Sequence, residues 1–207
     1  MGLAVTKHLY ENHFGLLDFP FSITPDPKFS YNCSRYREAF AKLRYGIEAR
    51  KGFIVITGEV GTGKTSLIKA FMQSVESNVQ TAFIFNPTLN FNQLLRSIVT
   101  DLGIDCSAHD RFTLMGKLND YLMEQLKKDH VVALLIDEAQ DLSDDVLEEL
   151  RLLSNLETER SRLIQIVLIG QPEFARRLDQ PKFHQLKQRI ALRCHLTPLR
   201  TDEVGSF

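Results

Sequence analysis

The chain has 207 residues, of which 43% are hydrophobic and 25% are charged, and its formal net charge is −1. This length suits one α/β domain with a real core, and the near-zero net charge argues against nucleic acid as the partner of the molecule as a whole. No apolar stretch approaches the ~20 residues needed to span a bilayer, and the N-terminus lacks the apolar segment of a secretory signal, so we expect a cytoplasmic protein.

The N-terminal 33 residues differ in composition from the rest of the chain. Between Tyr10 and Tyr31 they are rich in phenylalanine, proline and aspartate. The prolines are incompatible with a long helix, because each lacks a backbone N–H and restricts its predecessor. We therefore expect residues 1–33 to form an arm that packs on the core through its aromatic residues, helps to wall the nucleotide base, or does both.

Residues 34–200 alternate between apolar runs and helical patterns, and we assign them to a single α/β domain. Continuous apolar runs are typical of a parallel sheet covered on both faces. Strands are predicted at Phe53–Thr57, Gln80–Asn86, Val131–Asp137, Leu163–Gly170 and Ala191–Leu196. Helices are predicted at Ser34–Arg50, Asn90–Leu102, Thr113–Lys128, Ser143–Asn155 and Pro172–Gln180, besides one that follows residue 64.

Directly after the first predicted strand, the chain reads G-x-x-x-x-G-K-[ST]. The small residues of such a loop allow successive backbone N–H groups to point inward, as an anion-binding nest at a helix N-terminus. Lys64 can reach the β- and γ-phosphates of a nucleoside triphosphate, and the Thr65 hydroxyl can ligate the Mg²⁺ that bridges them. The alternative is an ordinary glycine-rich turn. The predicted nucleotide-binding residues are Gly58, Glu59, Val60, Gly61, Thr62, Gly63, Lys64, Thr65 and Ser66.

The apolar run from Val131 ends in two adjacent carboxylates, Asp137 and Glu138. Asp137 stands where a carboxylate can hold the hydration shell of Mg²⁺. Because side chains alternate along a strand, Glu138 is expected to point elsewhere, where it can orient and deprotonate an attacking water. This pair favours hydrolysis by water over transfer to a second substrate, although a solvated acidic strand end is the simpler alternative.

Two polar residues follow other predicted strands. Gln171 comes after Leu163–Gly170, at the edge of an open α/β sheet where ligands bind, so it can touch the γ-phosphate or the water. It can also simply begin the helix at Pro172. Asn86 is placed similarly and can restrain Glu138 until a partner arrives, or it can serve only the turn before a proline.

Several groups of residues match one family pattern along nearly the whole chain. They are Phe14-Gly15-Leu16 with Pro20-Phe21, Pro25-Asp26-Pro27 with Phe29 and Tyr31, Gly58–Thr65, Asp137-Glu138-Ala139-Gln140-Asp141-Leu142, Gly170-Gln171-Pro172-Glu173 and Gln188-Arg189-Ile190. In these residues the chain resembles the AAA+ ATPases, and among them the secretion-ATPase family typified by general secretion pathway protein A. The N-terminal stretch, Asp-Glu-Ala-Gln and Gly-Gln-Pro-Glu are the more specific parts of the pattern.

The resemblance implies a P-loop NTPase fold of three α/β/α layers, with a parallel five-stranded sheet in the order 5-1-4-3-2. It also implies Mg²⁺-dependent hydrolysis of ATP, assembly into a ring or partial ring, and Gln171 as a polar sensor on the fourth strand. In such rings an arginine of one subunit completes the site of its neighbour. Arg189 matches that position best and Arg193 is the second choice; the alternative for either is a solvated charge.

The resemblance also guides the expected cellular role. The chain stops soon after Arg200, so residues 201–207 are expected to be the start of a truncated helical lid, most of which is missing. We expect an assembly factor of bacterial secretion or pilus machinery, held at the inner membrane by a partner protein or a segment outside this sequence. One alternative is a nucleic-acid-linked regulator similar to transposition helpers, supported by the basic residues between Arg176 and Arg200. Another is a nucleotide-gated binding module without appreciable turnover.

Overall fold

The computed structural model describes residues 13–15, 33–85, 87–105, 107, 110–159, 161–200 and 203. Most of the arm predicted for residues 1–33 and most of the lid start predicted for residues 201–207 lie outside these ranges. Asn86 also lies outside the described residues. The predictions for these parts of the chain therefore stay predictions.

A parallel sheet of five strands lies at the centre of the domain. Its order is β2-β3-β4-β1-β5, which is the predicted order read from the opposite edge, and all neighbouring strands run parallel. The predicted α/β fold class is thereby confirmed. The strands are β1 Phe53–Gly58, β2 Val79–Ile84, β3 Val131–Ile136, β4 Ile164–Gly170 and β5 Ile190–Leu196.

Helices precede β1 and occupy the connections between the strands. They are α1 Ser34–Glu48, α2 Lys64–Ser74, α3 Phe91–Asp101, α4 Arg111–Lys127, α5 Asp144–Leu153, α6 Pro172–Leu178 and α7 His184–Arg189, with short 3₁₀ turns at Ala139–Asp141 and Pro181–Phe183. The predicted helix ends were wrong by a few residues where a cap decides the boundary. For example, α4 begins at Arg111 rather than Thr113, because the Asp110 side chain accepts a hydrogen bond from the Thr113 N–H.

Helix α7 was missed by the sequence analysis, which predicted no helix between Gln180 and β5. It has six residues, and among them only Leu186 is buried, so it carries no helical hydrophobic period. It follows a 3₁₀ turn that begins at Pro181, since proline suits the first position of such a turn. This short helix places Arg189 at the start of the last strand.

Each face of the sheet has its own hydrophobic core, so the molecule has the predicted three layers. Alternation along β1 sends Phe53 and Val55 into one core and Ile54 and Ile56 into the other. Helices α1 and α2 cover the second core, and α3 to α6 cover the first. Because β1, β3 and β4 are buried along their whole length, they fix the positions of the loops that follow them.

Candidate nucleotide-binding site

The loop between β1 and α2 has the backbone conformation that the P-loop pattern predicts. Gly61 and Gly63 adopt φ values of 79° and 87°, in the left-handed region that glycine enters without steric cost. The Thr62 hydroxyl donates to the carbonyl oxygen of Glu59 at 2.8 Å and closes the turn. Gly63 caps α2, so the free N–H groups of the helix N-terminus lie at the loop.

Lys64 is the first residue of α2 and is only 7% exposed. Its ammonium group donates to the carbonyl oxygens of Gly58 at 2.8 Å and Glu59 at 3.0 Å. A buried ammonium needs acceptors of this kind, and the anionic oxygens of a phosphate are stronger ones. The loop thus holds one positive charge among backbone N–H donors, which is an arrangement suited to a polyphosphate.

Thr65 and Asp137 meet at the centre of the site. The Thr65 hydroxyl donates to Asp137 Oδ2 at 2.8 Å, and the Glu138 N–H donates to Asp137 Oδ1 at 2.9 Å. Asp137 is fully buried, and this burial raises the pKa of its carboxyl group, against the effect of the two hydrogen bonds. A nearby cation would favour the ionised carboxylate. Hydroxyl and carboxylate oxygens are the donors that Mg²⁺ prefers, so these two residues fit the predicted metal site.

Glu138 follows Asp137 but is held in a different way. Its backbone is left-handed, with φ 51° and ψ 42°, a conformation that costs a non-glycine residue about 1–2 kcal/mol. Strand β3 ends at Ile136, so the predicted strand end at Asp137 was one residue too long. The two carboxylates therefore diverge because of this left-handed turn, and not because of alternation along a strand. Such backbone strain is common at functional sites.

Gln140 is the residue of this site to which the sequence analysis gave no role. Its side-chain Nε2 donates to Glu138 Oε2 at 2.6 Å, and its Oε1 accepts the Gln171 N–H at 3.1 Å. The only signal for it in the sequence was the Asp-Glu-Ala-Gln part of the family resemblance. The contact lies in the 3₁₀ turn Ala139–Asp141, which a strand-and-helix reading treats as a plain loop.

Gln171 lies where the sequence analysis placed it, directly after β4 and beside the loop that follows β3. It is also the N-cap of α6, with Pro172 at the first helical position. The structure thus supports the helix-start interpretation, which is compatible with the proposed contact to the γ-phosphate. That contact stays a prediction.

Arg189 ends α7, far from the P-loop of its own chain. The next residue, Ile190, pairs with Phe53 at the start of β1, whereas the P-loop follows Gly58 at the end of β1. At about 3.3 Å per residue, the length of β1 separates the two by roughly 17 Å. Arg189 is half-buried, and its Nη1 donates to Ser154 Oγ at 3.1 Å. A catalytic role for Arg189 would therefore require a second subunit.

The basic residues between Arg176 and Arg200 are largely paired with acidic side chains. Arg177 and Lys182 both contact the Asp144 carboxylate. Lys187 and Arg193 both contact Asp179, at 2.7 Å and 3.3 Å. The hydrogen bonds from Lys182 and Arg177 lower the pKa of Asp144, and the one from Lys187 lowers that of Asp179. Much of the positive charge of this region is therefore compensated within the chain.

Within the described part of the chain, no helix is both long and apolar enough to cross a membrane. Comparison with curated proteins finds a relative that is 42% identical over 200 residues, the general secretion pathway protein A of Aeromonas hydrophila. The alignment covers 96% of this chain and 37% of the relative. The chain therefore spans well under half the length of that protein.

Solved structures share the fold at low sequence identity. The ORC2 protein of Aeropyrum pernix, in ADPNP and ADP complexes, has a TM-score of 0.62 at 18% identity, over 83% of this chain and 48% of that one. Cdc6p of Pyrobaculum aerophilum also scores 0.62 at 18% identity, over 89% and 52% of the two chains. Drosophila ORC bound to DNA scores 0.62 at 19% identity, over 85% and 46%.

A family model described as an AAA domain matches residues 47–178, which is more than half of the chain. The matched region runs from the end of α1 to the end of α6 and includes the P-loop and the residues from Asp137 to Gln171. The resemblance to AAA+ ATPases and to general secretion pathway protein A is thus confirmed, and the chain belongs to the AAA domain family.

Proposed function

We propose that this chain is a Mg²⁺-dependent ATPase domain of a bacterial secretion or pilus assembly factor. The observation that carries the proposal is the contact between Thr65 and Asp137 at 2.8 Å, beside the P-loop lysine and next to a second carboxylate. In this proposal, the phosphate-binding residues, the metal ligands and a general base lie together at one edge of the sheet.

Each residue of this edge has a defined part in the proposed reaction. Lys64 and the loop N–H groups bind the β- and γ-phosphates; Thr65 and Asp137 would hold Mg²⁺, which would neutralise charge on the phosphate oxygens. Glu138 accepts a proton from water as the water oxygen bonds to the γ-phosphorus and the bond to the β–γ bridging oxygen breaks. The products are ADP and phosphate. Gln171 orients the γ-phosphate or the water.

The proposed assembly is a ring or partial ring of identical subunits. Its support is the position of Arg189, which is too far from its own P-loop to act there and yet is fixed by Ser154. A guanidinium that is oriented in this way can stabilise the charge that develops on a neighbour's γ-phosphate. Arg193 is the weaker candidate because it is exposed and paired with Asp179.

The secretion role rests on the relative from Aeromonas hydrophila, which is 42% identical over 200 residues. By this relationship, the protein acts at the inner membrane, where a partner protein or a further segment of the chain holds it. The DNA-linked alternative has less support, because four of the basic residues on which it depends are paired with Asp144 or Asp179, namely Arg177, Lys182, Lys187 and Arg193. Lack of salt-dependent DNA binding in the presence of ATP would remove that alternative.

The test is ATP hydrolysis measured against protein concentration, with and without Mg²⁺, for the wild type, Lys64→Ala, Arg189→Ala and Arg193→Ala. We expect turnover per subunit to rise with concentration. Lys64→Ala should lose ATP binding, whereas Arg189→Ala should keep ATP binding and lose about 10³-fold in turnover. Arg193→Ala tests the weaker candidate and should stay within about twofold of the wild type, because this side chain is exposed and paired with Asp179. Binding of ATP without any wild-type turnover would favour the nucleotide-gated binding module instead.

A further inference from the structure

We propose that Gln140 is a positioning residue that holds Glu138 in place and connects it to the carboxyl end of β4. The inference rests on the proposed function, since it concerns the general base of that reaction. Gln140 itself contacts neither the phosphate-binding loop nor Asp137 through any hydrogen bond of the described residues. It acts on the reaction through Glu138.

The orientation of the Gln140 amide follows from the chemistry of its two partners. A carboxylate only accepts hydrogen bonds and a backbone N–H only donates them. The Nε2 atom must therefore face Glu138, where it lies 2.6 Å from Oε2, and Oε1 must face the Gln171 N–H, at 3.1 Å. A side chain in this place needs one donor and one acceptor at the same time. Glutamate and methionine, which have similar length, each fail at least one of these requirements.

The surroundings of Gln140 hold it firmly. Its backbone belongs to the 3₁₀ turn whose buried residue is Ala139, and its carbonyl oxygen accepts a hydrogen bond from Arg177 Nη1 at 3.1 Å. Its side chain lies against the end of β4, since a Cβ atom added to Gly170 would come within 3.0 Å of Gln140 Oε1. The amide is therefore fixed between the loops that follow β3 and β4.

The position of Gln140 links the β4–α6 junction to the Glu138 carboxylate. Gln171 is the residue expected to meet the γ-phosphate, and its backbone N–H is the group that Gln140 Oε1 accepts. A shift of the β4–α6 junction on phosphate contact would move the amide and, through Nε2, the Glu138 carboxylate. Gln140 thus couples the end of the strand that faces the phosphate to the base that activates water. Misplacement of a base by about 1 Å can cost up to about 10²-fold in rate.

The first experiment is single-turnover hydrolysis of bound ATP by Gln140→Met and Gln140→Glu, with Gln73→Met and Gln73→Glu as controls. Gln73 is an exposed residue near the C-terminal end of α2, so the same substitutions there change composition and charge away from the site. The rate per bound ATP does not depend on the fraction of folded protein. We expect losses of about 10- to 100-fold for both Gln140 variants, with ATP affinity within about twofold of the wild type. Wild-type or faster rates in Gln140→Met would overturn the proposal.

The second experiment measures the contact itself without nucleotide, through melting temperatures of Glu138→Gln, Gln140→Glu and the double variant. Gln140→Glu places two carboxylates face to face and should lower the melting temperature by a few degrees. Adding Glu138→Gln restores a donor opposite a carboxylate and should recover most of that loss, as interacting neighbours do in a double-mutant cycle. Additive effects would overturn the proposal. If this coupling is present while the wild type binds ATP without turnover, the proposed function fails and the contact stands.

Discussion

Asp137 and Glu138 are neighbours in the chain, yet they face different sides of the site. One side is the P-loop with Thr65, and the other is Gln140 with the end of β4. Asp137 is fully buried and faces Thr65 of the P-loop, whereas Glu138 is half-exposed and faces Gln140 and the end of β4. Burial destabilises an ionised carboxylate because it loses its hydration, so a bound cation stabilises a buried carboxylate most. An accessible carboxylate can contact water. One left-handed residue thus gives two similar acids different surroundings, which suit the roles proposed for them as a metal ligand and a base.

The substitution with the largest expected effect is Glu138→Gln, which should affect turnover but not binding. It keeps the size of the side chain, and its Oε1 can still accept from Gln140 Nε2, but it removes the proton acceptor. We expect turnover to fall by about 10²- to 10⁴-fold while ATP and Mg²⁺ still bind. The measurement is steady-state hydrolysis together with nucleotide titration. Loss of ATP binding in this variant would mean that Glu138 belongs to the binding side of the site.

The matching change on the other side is Asp137→Asn. An asparagine can accept from the Glu138 N–H through Oδ1 and donate to the Thr65 hydroxyl through Nδ2, so the fold should be kept. We expect binding of Mg²⁺ with ATP to weaken by at least about tenfold, and turnover to fall with it. Titration of Mg²⁺ at fixed ATP measures this effect. Unchanged Mg²⁺ dependence would contradict the assignment of Asp137 to the metal.

A second prediction for Asp137→Asn concerns the stability of the folded protein. Because burial raises the pKa of Asp137 above its ordinary value of 3.8, the folded state is penalised once this carboxyl group ionises. Without nucleotide and Mg²⁺, the variant should therefore melt higher than the wild type at neutral pH. The difference should shrink as the pH falls through the raised pKa towards 3.8, since protonation removes the penalty. Melting curves from pH 7 to pH 4 test it, and a lower melting temperature at neutral pH would contradict it.

The two sides also differ in how far the sequence predicted them. The P-loop, Thr65 and Asp137 could be predicted, because a fixed spacing after an apolar strand determines where these groups lie. The sheet order came from the family resemblance. Gln140 could not be assigned a role, since its contacts depend on the left-handed backbone of Glu138 and on the Gln171 N–H, which is 31 residues away. Helix α7 was missed because a helix with one buried residue shows no hydrophobic periodicity in its sequence.

The smallest expected effect is that of Arg177→Ala, at the outer margin of the Gln140 side. Arg177 is half-buried; it donates to the Gln140 carbonyl oxygen at 3.1 Å and pairs with Asp144, whose carboxylate is open to solvent. Exposed ion pairs contribute about 0–1 kcal/mol to the free energy of unfolding, and Lys182 still contacts Asp144 in the variant. We expect chemical denaturation to show that the free energy of unfolding decreases by an amount in that range.

Turnover should change by less than about threefold in Arg177→Ala, because Glu138 and the Gln171 N–H still hold the Gln140 side chain at both ends. The matched control is Arg50→Ala, which removes another half-buried guanidinium that pairs with a carboxylate, that of Asp129, and donates to a backbone carbonyl oxygen, at the edge of the sheet where β1 begins. If Arg177→Ala lowered turnover as much as Gln140→Met does, the position of Glu138 would depend on the backbone of the 3₁₀ turn and not on the amide. Equal behaviour of Arg177→Ala and Arg50→Ala would mean that the Gln140 side chain, and not the backbone of the 3₁₀ turn, controls the position of Glu138.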